Sequence, residues 1–140
     1  MQSEARRIQA TIADVAAIAE DAAHVADVAA STWREINAVL SPLIGPGGVT
    51  ALYQRSLYMT RAAYPCLAAV HEVALPAGEF SGLQLVLSRQ TSAYIVAANG
   101  ALLLTFCDLL ASLIGSSLTE RLLRSVRNLS SGGTGQDSSA

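Results

Sequence analysis

Lysine is absent from this 140-residue chain; all nine basic residues are arginine. That excludes Schiff-base chemistry and the phosphate-gripping lysine of a Walker-type loop. Charge of either sign is scarce, at 14% of residues, so few side chains are on hand for acid–base work. A net charge of −2 gives no broad attraction to nucleic acid or to anionic lipid. Cysteine is nearly absent too. Cys66 and Cys107 stand outside any C-x-x-C pair, which argues against a disulfide framework or a zinc site and for two buried free thiols. No long apolar run follows Arg6 and Arg7, because Asp14, Glu20 and Asp21 interrupt it. The start is therefore unlike a secretory signal, and a cytoplasmic location is expected. Exclusive use of arginine points to a GC-rich bacterial genome.

What is present is aliphatic. Hydrophobic residues make up 51% of the chain and aromatics only 5%. Alanine and leucine dominate, both strong helix formers, so the composition predicts an all-α fold. The length suits one domain with a real core.

The chain also repeats itself. Leu43-Ile44-Gly45 recurs as Leu113-Ile114-Gly115. With one loop residue deleted from the first copy, Thr50 falls on Thr119, Arg55 on Arg124 and Ser56 on Ser125. The repeat predicts two helix–LIG–helix hairpins forming an antiparallel four-helix bundle, long-short-long-short. A single helical domain is expected over 1–129, with pseudo-repeats at about 3–75 and 79–128. Pro76-Ala77-Gly78 divides them. The tail 130–140 has almost no apolar residue and is expected to be disordered.

The first long helix is predicted from Ser3 to Ile44. Its seam steps by four and three through Ile8, Ile12, Val15, Ala19, Ala22, Ala26, Ala29, Trp33, Ile36, Leu40 and Leu43. About 60 Å of helix exceeds what the short helices can cover, so the remainder needs the second long helix or a second subunit. A homodimer is the expectation, with the alanine-rich stretch Ala19, Ala22, Ala26, Ala29 and Trp33 as its seam. Gly45 should end this helix, and the next should begin near Gly48, in the place of Ser117. The second long helix is predicted from Glu79 to Ile114. Ser117 and Glu120 form a capping-box pattern for the last one.

Residues 94–115 are long and apolar enough to cross a bilayer. Asp108 and the polar strip Thr105, Asp108, Ser112 favour the centre of a bundle instead. A single-span or membrane-docked protein is the alternative.

Few constellations carry chemistry. Glu20, His24 and Asp27 share one helix face at i, i+4 and i+7, but no facing set such as Glu-x-x-His completes a metal site. They read as a solvated acidic face. Neither His24 nor His71 is followed by the H-x-x-K-G pattern of phosphotransfer bundles. Pro46-Gly47-Gly48 offers free amides to an anion, yet a tight turn needs those glycines by geometry alone. No catalytic residue, cofactor or metal ligand is nominated.

The basic clusters Arg55, Tyr58, Arg61 and Arg121, Arg124, Arg127 are the expected partner-binding residues. The function expected is that of a bacterial regulatory or adaptor protein, self-associating and non-enzymatic, that binds another protein rather than nucleic acid or membrane. The alternative is a sensor holding a small apolar ligand among Trp33, Tyr53, Tyr94 and Phe106.

Overall fold

The computed structural model describes residues 3–18, 21–72 and 79–126. Over these residues the chain is all-helical, without strands, and forms six helices rather than the expected four. They are α1 (Ser3–Ile18), α2 (Ala22–Thr60), α3 (Cys66–Glu72), α4 (Ser81–Ser88) and α5 (Ser92–Ile114), followed by α6 (116–126). Pro76-Ala77-Gly78 and the tail 130–140 lie outside the described residues.

Both long predicted helices are interrupted by a polar cap. Asp21 is extended (φ −104°, ψ 114°), and its carboxylate accepts from the Ala23 amide at 3.0 Å. This cap separates α1 from α2 and breaks the helix expected over Ser3–Ile44. An alanine seam fits one long helix or two shorter ones equally well, while an aspartate at a helix start satisfies an otherwise orphaned amide. Thr91 does the same for α5. It is extended (φ −72°, ψ 156°), and its hydroxyl accepts from the Tyr94 amide at 3.2 Å. The helix expected from Glu79 to Ile114 is thereby split into α4 and α5. The two caps lie 70 positions apart.

So do the two glycines. Gly45 has φ 83° and ψ 153°, and Gly115 has φ 93° and ψ 150°. This backbone region is essentially open to glycine alone. A Cβ at either position would meet nothing within 4 Å, so conformation and not crowding demands the residue. At Gly45 α2 folds into two limbs, 22–44 and 46–60. Trp33 and Tyr53, one on each limb, pack with ring centroids 5.3 Å apart at a 59° tilt. A straight helix would hold them ~30 Å apart.

Burial after each glycine recurs without the deleted residue that the text alignment needs. Val49, Tyr53 and Ser56 are buried after Gly45; Thr119, Leu123 and Val126 are buried at the same spacings after Gly115. The structural partner of Arg55 is thus Ser125, not Arg124. The helix expected to start near Gly48 begins at residue 46. Ser117 is not the cap of α6, because the helix already begins at 116. Thr119 donates to the Gly115 carbonyl at 2.8 Å, and the Glu120 carboxylate instead accepts from the Glu4 amide of α1 at 3.0 Å. The start of α1 takes its cap from the far end of the chain.

Contacts fix the helix directions. Phe80 and Trp33 rings lie 6.3 Å apart, Gln84 bonds to both Asp27 and Arg34, and Ser88 lines a groove with Ala23. Thus α4 runs antiparallel to the first limb of α2 and ends near its start. From there α5 sets off beside α2: Trp33 bonds to Asn99 and packs 5.1 Å from Phe106. The two long limbs, 22–44 and 92–114, therefore run side by side in the same direction. A chain that reverses at each short turn gives its first and third helices this same direction, but the antiparallel four-helix topology is not established by these contacts.

The outer helices are exchanged between halves. Helix α1 packs chiefly on α5, while α4 packs on α2. Gly100 lets α1 come close to α5. Gln9 crosses it to donate to the Val96 carbonyl at 2.8 Å, and a Cβ on Gly100 would sit 2.5 Å from the Gln9 Nε2. One core joins both halves, with Ile8 and Ile12 of α1, Trp33, Ile36 and Leu40 of α2, Leu83 of α4, and Leu102, Phe106 and Leu110 of α5 all buried.

Candidate functional site

The second limb of α2 carries the most developed surface feature. Arg55, Tyr58 and Arg61 recur every three residues, which puts them on one helix face. Tyr58 is 46% exposed. The Arg61 guanidinium lies 4.0 Å from its ring centroid and the Arg55 guanidinium 6.0 Å. Arg61 also donates to the Tyr58 carbonyl at 3.0 Å. From α3, the His71 ring comes within 5.8 Å of the Tyr58 ring. Met59, beside them, is exposed. At an exposed site, cation–π contacts contribute only ~0.5–1 kcal/mol each to stability. Their larger effect is to hold an aromatic ring and two guanidinium groups ready at the surface. Neither guanidinium pairs with a described carboxylate. The sequence placed the three residues of α2 together but missed His71. It is ten residues beyond Arg61, across the break that Pro65 signals.

The second arginine cluster is different. Arg124 lies 3.6 Å from the Glu4 carboxylate, which Arg7 also approaches at 3.4 Å. That carboxylate is buried, so Arg124 ties α6 to α1. Arg121 is exposed, and Arg127 lies outside the described residues. The equivalence of Arg55 and Arg124 in the repeat is corrected on register, and the two also differ in surroundings.

The alanine seam is internal. Ala26, Ala29 and Trp33 are fully buried within the single chain, and Ala22 is half-buried against its core. Ala19 lies outside the described residues, as does Glu20. The break at Asp21 lets α1 turn back over α5, so the length of seam that called for a second subunit is covered from within.

The four aromatic residues expected around a ligand do not form a pocket together. Trp33, Tyr53 and Phe106 pack on one another and on Phe80, with Tyr53 and Phe80 at 5.0 Å. Their rings fill the space between the helices. Tyr94 is elsewhere, edge-on to Tyr64 at 5.8 Å and hydrogen-bonded to Cys66. Within the aromatic core, Trp33 Nε1 donates to Asn99 Oδ1 at 2.8 Å, while Asn99 Nδ2 and the Tyr53 hydroxyl are buried without a protein partner. Nothing in the sequence pattern marked Asn99 as the partner of Trp33.

Burial sets the chemistry of the remaining titratable groups. Desolvation raises the Tyr53 phenol. It pushes the Cys107 thiol up to about 12, with smaller contributions from Glu120 and Asp108. Cys66 is also raised by burial, partly offset by its bond to Tyr94. Both thiols stay protonated near neutral pH, the opposite of what an activated nucleophile requires.

A groove of about 610 Å³ opens between the starts of α2 and α4 and the end of α3. Ala23, Val70, Gly82, Leu85 and Val86 line it, and none of the four aromatic residues does. His24 and Asp27 are exposed, with Asp27 accepting from Gln84 at 3.3 Å. Among the described residues, no three metal-binding side chains cluster. Gly48 answers to packing: a Cβ there would press on the Ile44 side chain at 3.3 Å. Both α2 and α5 are long and apolar enough to span a bilayer. The buried residues of α5 face the shared core, where Asn99 is bonded to Trp33.

No family model, curated protein or solved structure matches the chain.

Proposed function

We propose that this chain is a bacterial, cytoplasmic regulatory or adaptor module, without enzymatic activity, whose Arg55–Tyr58–Arg61–His71 face docks an acidic segment of another protein. The observation that carries this reading is the exposed Tyr58 ring flanked by two guanidinium groups. Tyrosine and arginine dominate the residues that supply binding energy at protein interfaces. Here the aromatic ring is already oriented, which lowers the entropy lost on docking. Two cationic groups on an otherwise acidic chain favour a carboxylate-bearing partner. Self-association belongs to the same proposal, through outer surfaces rather than the buried alanine seam. The 70-residue recurrence of caps and glycines supports an origin by tandem duplication of one helical unit.

The test is co-purification after crosslinking, comparing the natural chain with Tyr58→Ala/Arg61→Glu. Proteins captured by the natural chain should be lost with the double variant, whose circular dichroism should be unchanged. An identical set of captured proteins would sink the docking face. Sedimentation at tens of micromolar should show a dimer; a strictly monomeric mass removes the self-association.

A second reading, the binding of a small apolar ligand, draws support from the groove beside Leu85 and Val86 and not from the aromatic residues. Its volume suits a drug-sized molecule. Leu85→Asp should then abolish uptake of an apolar fluorescent probe, while Tyr58→Ala should not.

A further inference from the structure

We propose that the end of the molecule carrying the two Leu-Ile-Gly turns docks on a lipid surface. Because the long limbs of α2 and α5 run in the same direction, Gly45 and Gly115 lie at one pole. Each turn exposes a leucine at the same place in the repeat: Leu43 is 50% exposed and Leu113 is 62% exposed. Pro42, Pro46 and Gly47 beside the first are exposed as well. A Cβ at Gly45, Gly47 or Gly115 would meet no atom within 4 Å, so both turns project into open space.

Among the described residues, the chain on either side of each turn is also free of charge. Residues 36–54 contain no charged side chain, nor do residues 109–119. Along the helices, the nearest charges to Gly45 are Glu35 and Arg55, about 15 Å away at 1.5 Å per residue. For Gly115 they are Asp108 and Glu120, roughly 7–10 Å away. Glu4, bonded through its amide to Glu120, belongs to the same collar. The charge-free depth matches the ~5–10 Å to which apolar faces enter the boundary between headgroups and acyl chains.

A lipid surface suits this pole better than a second copy of the chain. Two exposed leucines and their small neighbours fall far short of the ~800 Å² per partner that a stable protein interface buries. The turns are convex tips with no aromatic anchor or charged group to set a register. A bilayer asks for neither shape complementarity nor register. Two tips entering together act as a bivalent contact, in which each raises the effective concentration of the other. With no arginine at the tips, neutral and anionic lipid should serve alike.

Flotation with vesicles tests this. The probes are pure phosphatidylcholine and phosphatidylcholine containing phosphatidylglycerol. The natural chain should float with both to a similar extent. Leu43→Asp or Leu113→Asp alone should weaken binding, and the double variant should lose it by on the order of tenfold or more. Both leucines are exposed, so the variants should keep the natural melting temperature. Tyr58→Ala/Arg61→Glu should float normally, which separates this inference from the docking face on α2. Three outcomes would overturn it: no flotation with either lipid, flotation with anionic lipid alone that ignores both leucines, or a leucine-dependent dimer that does not float.

Discussion

Residues 21–60 and 91–126 follow one path: cap, long helix, positive-φ glycine, returning helix. Yet Trp33 and Tyr53 in the first stand where Leu103 and Leu123 stand in the second, and Ala29 stands where Asn99 does. The first half contributes two buried rings, Trp33 and Tyr53, and the second only Phe106, where the first has Ile36, together with a polar partner, Asn99, across the divide. Path and filling answer to different physics. A cap or a glycine acts on its own backbone, so the same device works twice. Core side chains must match what faces them, and the two halves face each other. A large ring on α2 therefore calls for a different residue on α5, not a copy of itself.

That contrast is sharpest at Trp33. Trp33→Ala should destabilise the fold by ~3–5 kcal/mol, because it opens a cavity against Tyr53, Phe80 and Phe106. It also strands the Asn99 carbonyl, at a further cost of about 1–3 kcal/mol. Leu103→Ala, at the equivalent place, removes only aliphatic packing and should cost less. Denaturant titration of both variants checks the order; equal losses would mean that the aromatic side is no more tightly specified.

The glycines break the comparison differently, since they should behave alike. Gly45→Ala and Gly115→Ala each force a side chain into the same disfavoured conformation, for about 1–3 kcal/mol apiece. The double variant should lose about the sum of the two. A melting temperature that falls for one variant and not for the other would show that the turns are not equivalent.

The smallest effect concerns position 107, where the first half has the half-buried Asn37 in place of a buried cysteine. Cys107 titrates near 9.0 in the unfolded chain but is pushed up to about 12 when folded. Its contribution is whole below pH 9. It declines between pH 9 and 12, as the unfolded state ionises and the folded state does not. One such group costs ~1.4 kcal/mol per pH unit in that window. Tyr53, also raised by burial, adds a loss of the same sign at higher pH. Stability of Cys107→Ala measured from pH 8 to 10 should fall less steeply than that of the natural chain. Parallel curves would place the alkaline sensitivity elsewhere.

Much of the fold was legible in the residues. The leucine–isoleucine–glycine stops predicted both turns, and both glycines have the left-handed backbone that only glycine accepts readily. The buried face of α2 at Ala26, Ala29, Trp33, Ile36 and Leu40 followed from its spacing, but Leu43, the next step of the same seam, is exposed beside the turn. The breaks before α2 and α5 were harder to see. Asp21 and Thr91 are ordinary capping residues, but the alanine seam ran through the first break and apolar residues flanked the second, so a regular period masked a polar stop. At the candidate site, Arg55, Tyr58 and Arg61 were readable as one helical face. His71 was not, because only the packing of α3 brings it to Tyr58.

By itself the sequence determined helical content, the glycine stops and the apolar face of each long helix. These depend on the backbone preferences of neighbouring residues and on a period of 3.6, both contained within a few turns of chain. The tertiary structure alone decided that α2 and α5 pack side by side at the centre. It also decided that the outer helices are exchanged between the halves and that the alanine seam is internal. Those outcomes rest on contacts such as Trp33 with Asn99 and Glu4 with Glu120, between residues 66 and 116 positions apart. No local pattern selects one distant partner over another; the closing of a shared core does.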